Sequence, residues 1–369
     1  MSASLLPALH IIEEGMREGM QIESATIPTA DKVRLLDALS VTGLREIVVG
    51  SFVRPDWVPQ MRDVEALIEG MTVRPDVLYT ALVLNEKGAV RRQAFVPPLT
   101  VDPTPRLTVH ACDIFARRNT NRSAAEEIAA WPALISRAVA SGAPTATARV
   151  NAAFGSNFTG DIDPSVPLAL LDRMIQAWEE ADVAVETIWL GDPMGWNTPL
   201  AVEYLLGEVV RRWPGVRRVH LHLHDQRGAA IVSAYQAIRS LPAMMTLVID
   251  TAIGGVGGCP YCGNGRATGM IATEDFVDLA EEMGIRTGID RDLLIAASDM
   301  AQEVFGHPLS GKLALAGPRP RGDRRFPADL PLIETLEEAS HFRRGPAVYA
   351  GQRRPWRRPI GIAQDGTNG

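Results

Sequence analysis

Apolar, β-branched runs recur along the chain, and the segments between them carry helical patterning. Eight runs stand out: Ala8–Glu13, Glu46–Phe52, Val77–Val83, Leu107–Cys112, Ala146–Ala152, Val185–Leu190, Val219–His224 and Leu247–Ala252. The intervening stretches space their apolar residues as one helix face requires, as in Ala30–Thr42, Ala124–Ala140, Leu168–Ala181, Leu200–Trp213, Gly228–Leu241 and Thr273–Met283. Strand and helix alternating eight times over about 280 residues predicts an α/β fold, a parallel (β/α)8 TIM barrel. A doubly wound open sheet is the competing arrangement. It fits less well because no Gly-x-Gly-x-x-Gly follows the first strand, and because polar residues gather just after the strand ends all along the chain. In a barrel those ends converge on one face, where the active site is expected. The catalytic domain is therefore assigned to residues 1–290. Arg291–Phe305 reads as one more helix and Pro308 begins a Pro/Arg-rich stretch, so residues 291–369 are expected to form a C-terminal helix and an irregular basic tail.

Apolar residues make up 46% of the chain and charged residues 22%, which excludes a disordered, collagen-like or coiled-coil protein. No stretch approaches the length of uncharged apolar sequence that a membrane span needs. The N-terminus lacks the basic region and long apolar run of a secretory signal, so a cytoplasmic location is expected. A net charge of −7 has the wrong sign for a surface that tracks nucleic acid. The charge is uneven: 11 basic and 6 acidic side chains in residues 311–369 give that stretch +5 and leave −12 on residues 1–310. The run Arg353-Arg354-Pro355-Trp356-Arg357-Arg358 in this tail reads either as a solvated arm or subunit contact, or as an anion site. Cys112, Cys259 and Cys262 are too few for a disulfide framework. The expectation is a homo-oligomer acting on a small-molecule substrate, with neither a nucleic-acid nor a membrane partner.

The densest chemical signal is His220-Leu221-His222-Leu223-His224-Asp225 at the end of the seventh run. Side chains alternate across a strand, so the three imidazoles share one face, which in a barrel is the interior. Imidazoles two residues apart on a strand can hold one metal ion without backbone distortion. His222 and His224 lie nearest the mouth and are the candidate ligands; His220, one layer deeper, reads as a hydrogen-bonded core histidine. The first run ends in Glu13-Glu14-Gly15-Met16-Arg17-Glu18-Gly19-Met20-Gln21. An adjacent acid and base at a strand end can supply a carboxylate to a metal and a guanidinium to a developing oxyanion. With the two histidines, the acid completes a two-His, one-carboxylate set.

After the eighth run comes the glycine-rich segment Gly254-Gly255-Val256-Gly257-Gly258-Cys259-Pro260-Tyr261-Cys262-Gly263-Asn264-Gly265. Such a loop can approach a ligand closely. The Cys-Pro-Tyr-Cys spacing allows a redox dithiol, a single working thiol at Cys259 or an inert pair. A late loop is the wrong place for a glutaredoxin-like motif, and a structural zinc site would want a second cysteine pair.

Taken in order, Gly15–Gln21, Ser51–Met61, Phe115–Asn121, Leu190–Gly195, His222–Asp225, Gly257–Tyr261 and Ala272–Asp275 resemble the motifs of the 3-hydroxy-3-methylglutaryl-CoA lyase-like family. These are metal-dependent lyase and synthase TIM barrels related to the isopropylmalate and homocitrate synthases, and the resemblance covers roughly residues 8–305. It implies that Arg17 is the catalytic arginine, that Glu18, His222 and His224 bind a divalent ion (Mg, Mn or Zn), and that Cys259 is the catalytic thiol. It also implies that Asp192 lies in the substrate site and that Gln21, Asn121 and Glu274 bind substrate. Three positions depart from the family pattern. Glu18 replaces an aspartate, Val48 stands where the family has a glutamate, and Met270 falls on the position of an asparagine metal ligand. A thioether is a poor ligand for a hard ion, so Asn264 or water is expected to take that place.

The implied reaction is retro-Claisen or retro-aldol cleavage of a hydroxymethylglutaryl-CoA-like hydroxyacyl substrate, an acyl-CoA or hydroxy acid, to an acetyl-CoA-type enolate and an oxo acid. The same site run backwards is a Claisen-type acyl synthase of the citramalate or homocitrate kind. The tail is too short and irregular for the regulatory domain such synthases usually carry. Barrel hydrolases also use His-x-His, but on the first strand. A barrel paralogue that has lost the chemistry is the non-enzyme alternative; Val48 and Met270 favour it, and joint retention of Arg17, Glu18, Asp192, His222, His224 and Cys259 counts against it.

Overall fold

The computed structural model describes residues 6–263 and 269–328. Its eight main strands are β1 (Ala8–Glu13), β2 (Glu46–Ser51), β3 (Leu78–Leu82), β4 (Arg106–His110), β5 (Thr145–Asn151), β6 (Ala184–Asp192), β7 (Arg218–Leu223) and β8 (Thr246–Thr251). They lie in the order β3-β2-β1-β8-β7-β6-β5-β4, every neighbouring pair parallel. Pairing of β1 with β8 is the circular order of a TIM barrel and is incompatible with a doubly wound sheet. The seam lies between β3 and β4. There the Thr100 N–H donates to Tyr79 O (2.7 Å), and Leu99 bridges Tyr79 in place of direct strand pairing.

The strands are apolar on both faces because helices cover the outside and side chains fill the inside. Outward residues such as Leu107, Val109, Ala148, Val150, Val219, Leu221, Leu247 and Ile249 are fully buried. Helix α1 (Ser165–Glu179) presents Leu168, Leu171, Met174, Ile175 and Trp178 to them, and α2 (Pro199–Arg212) presents Val202, Leu205, Leu206 and Val209. These spacings of three and four are those of a single helix face.

Local chemistry sets the helix ends. Thr198 caps α2 through the Ala201 N–H (3.2 Å), with Pro199 in the first turn, where its missing N–H is harmless. The stretch expected to be one helix over Ala124–Ala140 is two, Ala124–Ala129 and Trp131–Ala140. Pro132 is the reason, since it has no N–H to continue the helical ladder. Three short helices, Val64–Gly70, Glu86–Gln93 and Asp113–Thr120, were not foreshadowed by the periodicity, being too brief to show it. Asn121 ends the last of them at φ 57°, a left-handed cap that asparagine tolerates.

One compact unit ends at Gly317 and a second begins at Pro318. Helix Arg291–Phe305 belongs to the first: its Leu294, Ala297 and Ala301 are buried, Ser298 Oγ donates to Glu274 Oε1 (2.9 Å), and Asp290 N–H donates to Thr42 O (2.7 Å). In the second unit the described residues hold a single helical turn, Gly322–Arg324. The Arg353–Arg358 run lies outside the described residues. No described helix is long and apolar enough to cross a membrane.

Leu221 sits on the outward face of β7, fully buried between the two strand residues that carry the site histidines. Leu221→Ala removes this packing and should lower the free energy of unfolding by about 2–5 kcal/mol. Urea titration checks it; a loss under about 1 kcal/mol would contradict the outward packing assigned to β7.

Candidate metal centre and active site

The chain leaves β1 in a single wide turn, Gly15–Gly19, closed by a Gly19 N–H bond to Glu14 O (3.2 Å). Such i→i+5 turns are rare and concentrate at functional sites. Glycine is required at both ends. A Cβ on Gly15 would stand 2.5 Å from Glu13 Oε1, and one on Gly19 would stand 2.4 Å from Val256 Cγ2. Arg17 lies within the turn, its Nε donating to Glu14 Oε2 (2.7 Å) and its Nη1 to Glu18 Oε2. Burial opposes a charged guanidinium, but the two carboxylates outweigh it and hold Arg17 protonated. Glu13, one residue inside the strand, has its carboxyl pushed up to about 7 by burial. It binds the Gly15 and Ile253 N–H groups (2.7 and 2.9 Å) and the Thr273 hydroxyl, tying the β1 turn to the loop after β8.

The histidines of β7 face the interior, as alternation requires. Asp250 of β8 is shared between two of them, with Oδ1 on His220 Nε2 and Oδ2 on His222 Nδ1, both at 2.7 Å. Burial works against this carboxylate, but the two imidazoles reverse the effect and hold it far below the usual carboxylate range. Asp250 in turn raises His222 against the opposing effect of burial. With Nδ1 engaged, His222 directs Nε2 at His224 Nε2, 3.3 Å away, and His224 Nε2 lies 3.6 Å from Glu18 Oε1. Burial, and then the neighbouring His222 and Arg17 charges, push His224 well below its ordinary value, so it is neutral.

Among the described residues two buried groups converge enough to hold a cation: Glu18, His222 and His224, and Glu14, His222 and Asp250, each with ligand atoms within 4.8 Å of one another. The first fits better. Asp250 and Glu14 are committed to imidazole and guanidinium partners, whereas Glu18 Oε1 and the two Nε2 atoms face one another. Neutral imidazole and carboxylate are the donors a divalent ion takes, and a carboxylate hydrogen-bonded to the far nitrogen of His222 is the usual way such a ligand is aimed. His224 Nδ1 is buried without a partner among the described residues, which give this ring no hydrogen bond on its far side to match the one on His222.

Around this centre, Asp192 ends β6 fully buried, accepting from Trp196 N–H (3.0 Å), Asn197 N–H (2.6 Å) and Asn197 Nδ2 (2.7 Å). Burial nevertheless raises its pKa. Asn197 Nδ2 also donates to His224 O (3.0 Å), so the β6 loop is bolted to the histidine strand. Gln21 reaches across the mouth to Gly258 O (3.2 Å), holding the backbone beside the half-buried Cys259. Cys262 is buried, its thiol on Pro193 O (3.0 Å), and contact with Cys259, together with burial, raises it far above an ordinary thiol. Met270 is buried and bridges the backbone of His224. Val48 packs with Ile12 and Val248 inside the barrel. Glu274 is fully buried and spends its oxygens on the Gly254 N–H (3.0 Å) and Ser298 (2.9 Å), bracing the loop after β8; Asn121 is an exposed helix cap. Asn264 lies outside the described residues.

Sequence reasoning missed Asp250, Asn197 and Glu14. Asp250 had a signal, a lone acid inside the apolar run Leu247–Ala252. Its partners, however, become visible only with the strand register. Asn197 lies in an ordinary turn sequence, and its tie to His224 is purely tertiary.

The HMGL-like family model matches residues 8–301 of this chain. The hydroxymethylglutaryl-CoA lyase of Bacillus subtilis is 31% identical over 303 residues, 82% of this chain and 95% of that protein. The mitochondrial hydroxymethylglutaryl-CoA lyase of Gallus gallus is 31% identical over 309 residues, 84% of this chain and 97% of that protein. Among solved structures, an HMG-CoA lyase from Acinetobacter baumannii in complex with coenzyme A and 3-methylmalate superposes with a TM-score of 0.70 at 29% identity, covering 89% of this chain and 99% of that one.

Replacing both His222 and His224 by alanine should abolish retention of divalent metal measured by elemental analysis of the purified protein. Asp250→Ala should weaken metal affinity by about 10–100-fold, the usual consequence of removing a ligand's orienting partner. Full metal occupancy in the double variant would exclude this centre.

Proposed function

The chain belongs to the HMGL-like family, and on that premise we propose that it cleaves a carbon–carbon bond in a hydroxymethylglutaryl-CoA-like hydroxyacyl substrate. The observation that carries this reading is the convergence of Glu18, His222 and His224 beside Arg17 at one end of the barrel. We assign Glu18, His222 and His224 as ligands of the divalent ion, Mg, Mn or Zn, and Asn264 or water as the remaining donor. When bound, such an ion supplies Lewis acidity toward substrate oxygens and makes a hydroxyl easier to deprotonate.

The protein's own groups then divide the work. Transfer of the hydroxyl proton to a base drawn from solvent lets the carbinol carbon become a carbonyl, the neighbouring C–C bond breaks, and its electron pair passes into the thioester as an enolate. Arg17, kept charged by Glu14 and Glu18, is the preorganised cation for that developing oxyanion. Asp192 and Asn197 shape the substrate side of the mouth and fix the His224 backbone. Cys259, on the Gly257-Gly258 loop steadied by Gln21, returns a proton to the enolate carbon. The products are an oxo acid and an acetyl-CoA-type thioester. Val48 and Met270, standing where the family carries a carboxylate and an amide, shift the substrate preference while leaving the reacting centre intact.

Cys259→Ser should lower turnover by about 10²-fold or more, the scale of a lost general acid, with metal content unchanged. Cys262→Ser should leave turnover intact under reducing conditions. Release of acetyl-CoA and oxo acid from hydroxymethylglutaryl-CoA and from related hydroxyacyl thioesters is the assay. Equal losses from both substitutions would instead indicate a working dithiol, and no cleavage of any hydroxyacyl thioester by metal-loaded protein would refute the lyase reading.

A further inference from the structure

Below the metal-binding end, the Arg149 cation in the barrel interior has no ion-pair partner among the described residues. On β5, Ala146, Ala148 and Val150 pack outward, which turns Arg149 inward. Strand register runs from Arg149 to Trp189 of β6, to His220 of β7 and to Val248 of β8. The Arg149 guanidinium lies over the Trp189 ring, 4.0 Å from its centroid. The other contacts of that ring are with the site: it stacks on His222 at 5.6 Å between centroids and meets His220 edge-on at 6.0 Å. Arg149 is therefore one aromatic ring away from a proposed metal ligand, in the layer beneath it.

Arg149 Nε is buried without a hydrogen-bond partner, and the side chain makes no ion pair among the described residues. The nearby acids are taken. Asp250 is divided between His220 and His222, while Glu14 and Glu18 hold Arg17. Burial, and then the repulsion of Arg106 on the neighbouring strand, pull Arg149 down to about 9, which still leaves it charged at neutral pH. Ile12, Val48 and Val248 form an apolar patch inside the barrel, and Glu46, two residues before Val48 on β2, is engaged by His10 Nε2 (2.7 Å). Stacking on an aromatic face satisfies the plane of a guanidinium but none of its N–H donors, whose best planar partner is a carboxylate.

We propose that Arg149 is a specificity-determining residue that receives a free carboxylate carried on the acyl portion of the substrate. The proposal rests on the lyase reading, since the metal end fixes the reacting carbon and Arg149 lies deeper than it. The arm that reaches Arg149 is then the one pointing into the barrel, opposite the thioester arm leading out. That carboxylate stays with the departing oxo acid. Trp189 stacks on the guanidinium, and neither Val48 nor the paired Glu46 and Asp250 offers it a free carboxylate.

The test is calorimetric binding of glutarate and of butyrate, which lacks the second carboxylate, to full-length metal-loaded protein. The wild type should bind glutarate at least about 10-fold more tightly than butyrate, the scale of one buried charged hydrogen-bonding group. Arg149→Met should abolish that preference, with metal content unchanged. Arg149→Lys, which keeps the charge but not the planar fork, should retain part of it and guards against a variant that merely misfolds. Equal glutarate and butyrate affinity in the wild type, or an unchanged preference in both variants, would overturn the proposal. Metal retention and Cys259-dependent cleavage report on the lyase reading separately, and neither readout depends on Arg149.

Discussion

Asp250 is the constraint on which the rest of this site depends. A buried carboxylate is tolerated only when its charge is answered, and here two imidazoles from the adjacent strand answer it at 2.7 Å each. In satisfying Asp250, His222 gives up Nδ1 and is left with a single direction for Nε2, toward His224 and Glu18. The orientation of the metal-binding end is thus set from below, by a residue that does not itself face the shared ligand position.

The same economy governs the acidic end of β1. Arg17 neutralises both Glu14 and Glu18, yet Glu18 needs only Oε2 for that contact and keeps Oε1 for the histidines. The wide Gly15–Gly19 turn makes this geometry possible, because side chains at either end would strike Glu13 and Val256. The mouth is then braced by bonds that cross between loops far apart in sequence: Glu13 to Ile253, Gln21 to Gly258, and Asn197 to the His224 backbone. Preorganisation of this kind keeps charged groups aimed without reorganisation during the reaction. Deeper in the barrel, an apolar patch at Ile12, Val48 and Val248 and the His10–Glu46 pair line β1 and β2, while the Arg149 cation rests on the Trp189 ring.

Much of the architecture was legible from the chain alone, since periods of two and of three to four residues are local properties. The eight runs became eight strands with ends displaced by at most a residue or two, and helices α1 and α2 buried the faces their spacing marks. Pro132 divided one expected helix, a break that its missing N–H could have announced. His220, expected as a hydrogen-bonded core histidine, is hydrogen-bonded, and the His222–His224 pair shares one face for the same reason of alternation.

What sequence by itself determined is thus the order of elements, their inward and outward faces, and the residue types gathered at the strand ends. What only the tertiary structure decided is who meets whom. Asp250 is 28 residues from His222 and 30 from His220, and Glu13 is 240 from Ile253, separations over which no local pattern carries information. Register between strands, set by packing of the whole barrel, brings those groups within hydrogen-bond distance. It also leaves Arg149 beside Trp189 with every nearby acid already engaged, a vacancy of charge that no reading of β5 in isolation could reveal.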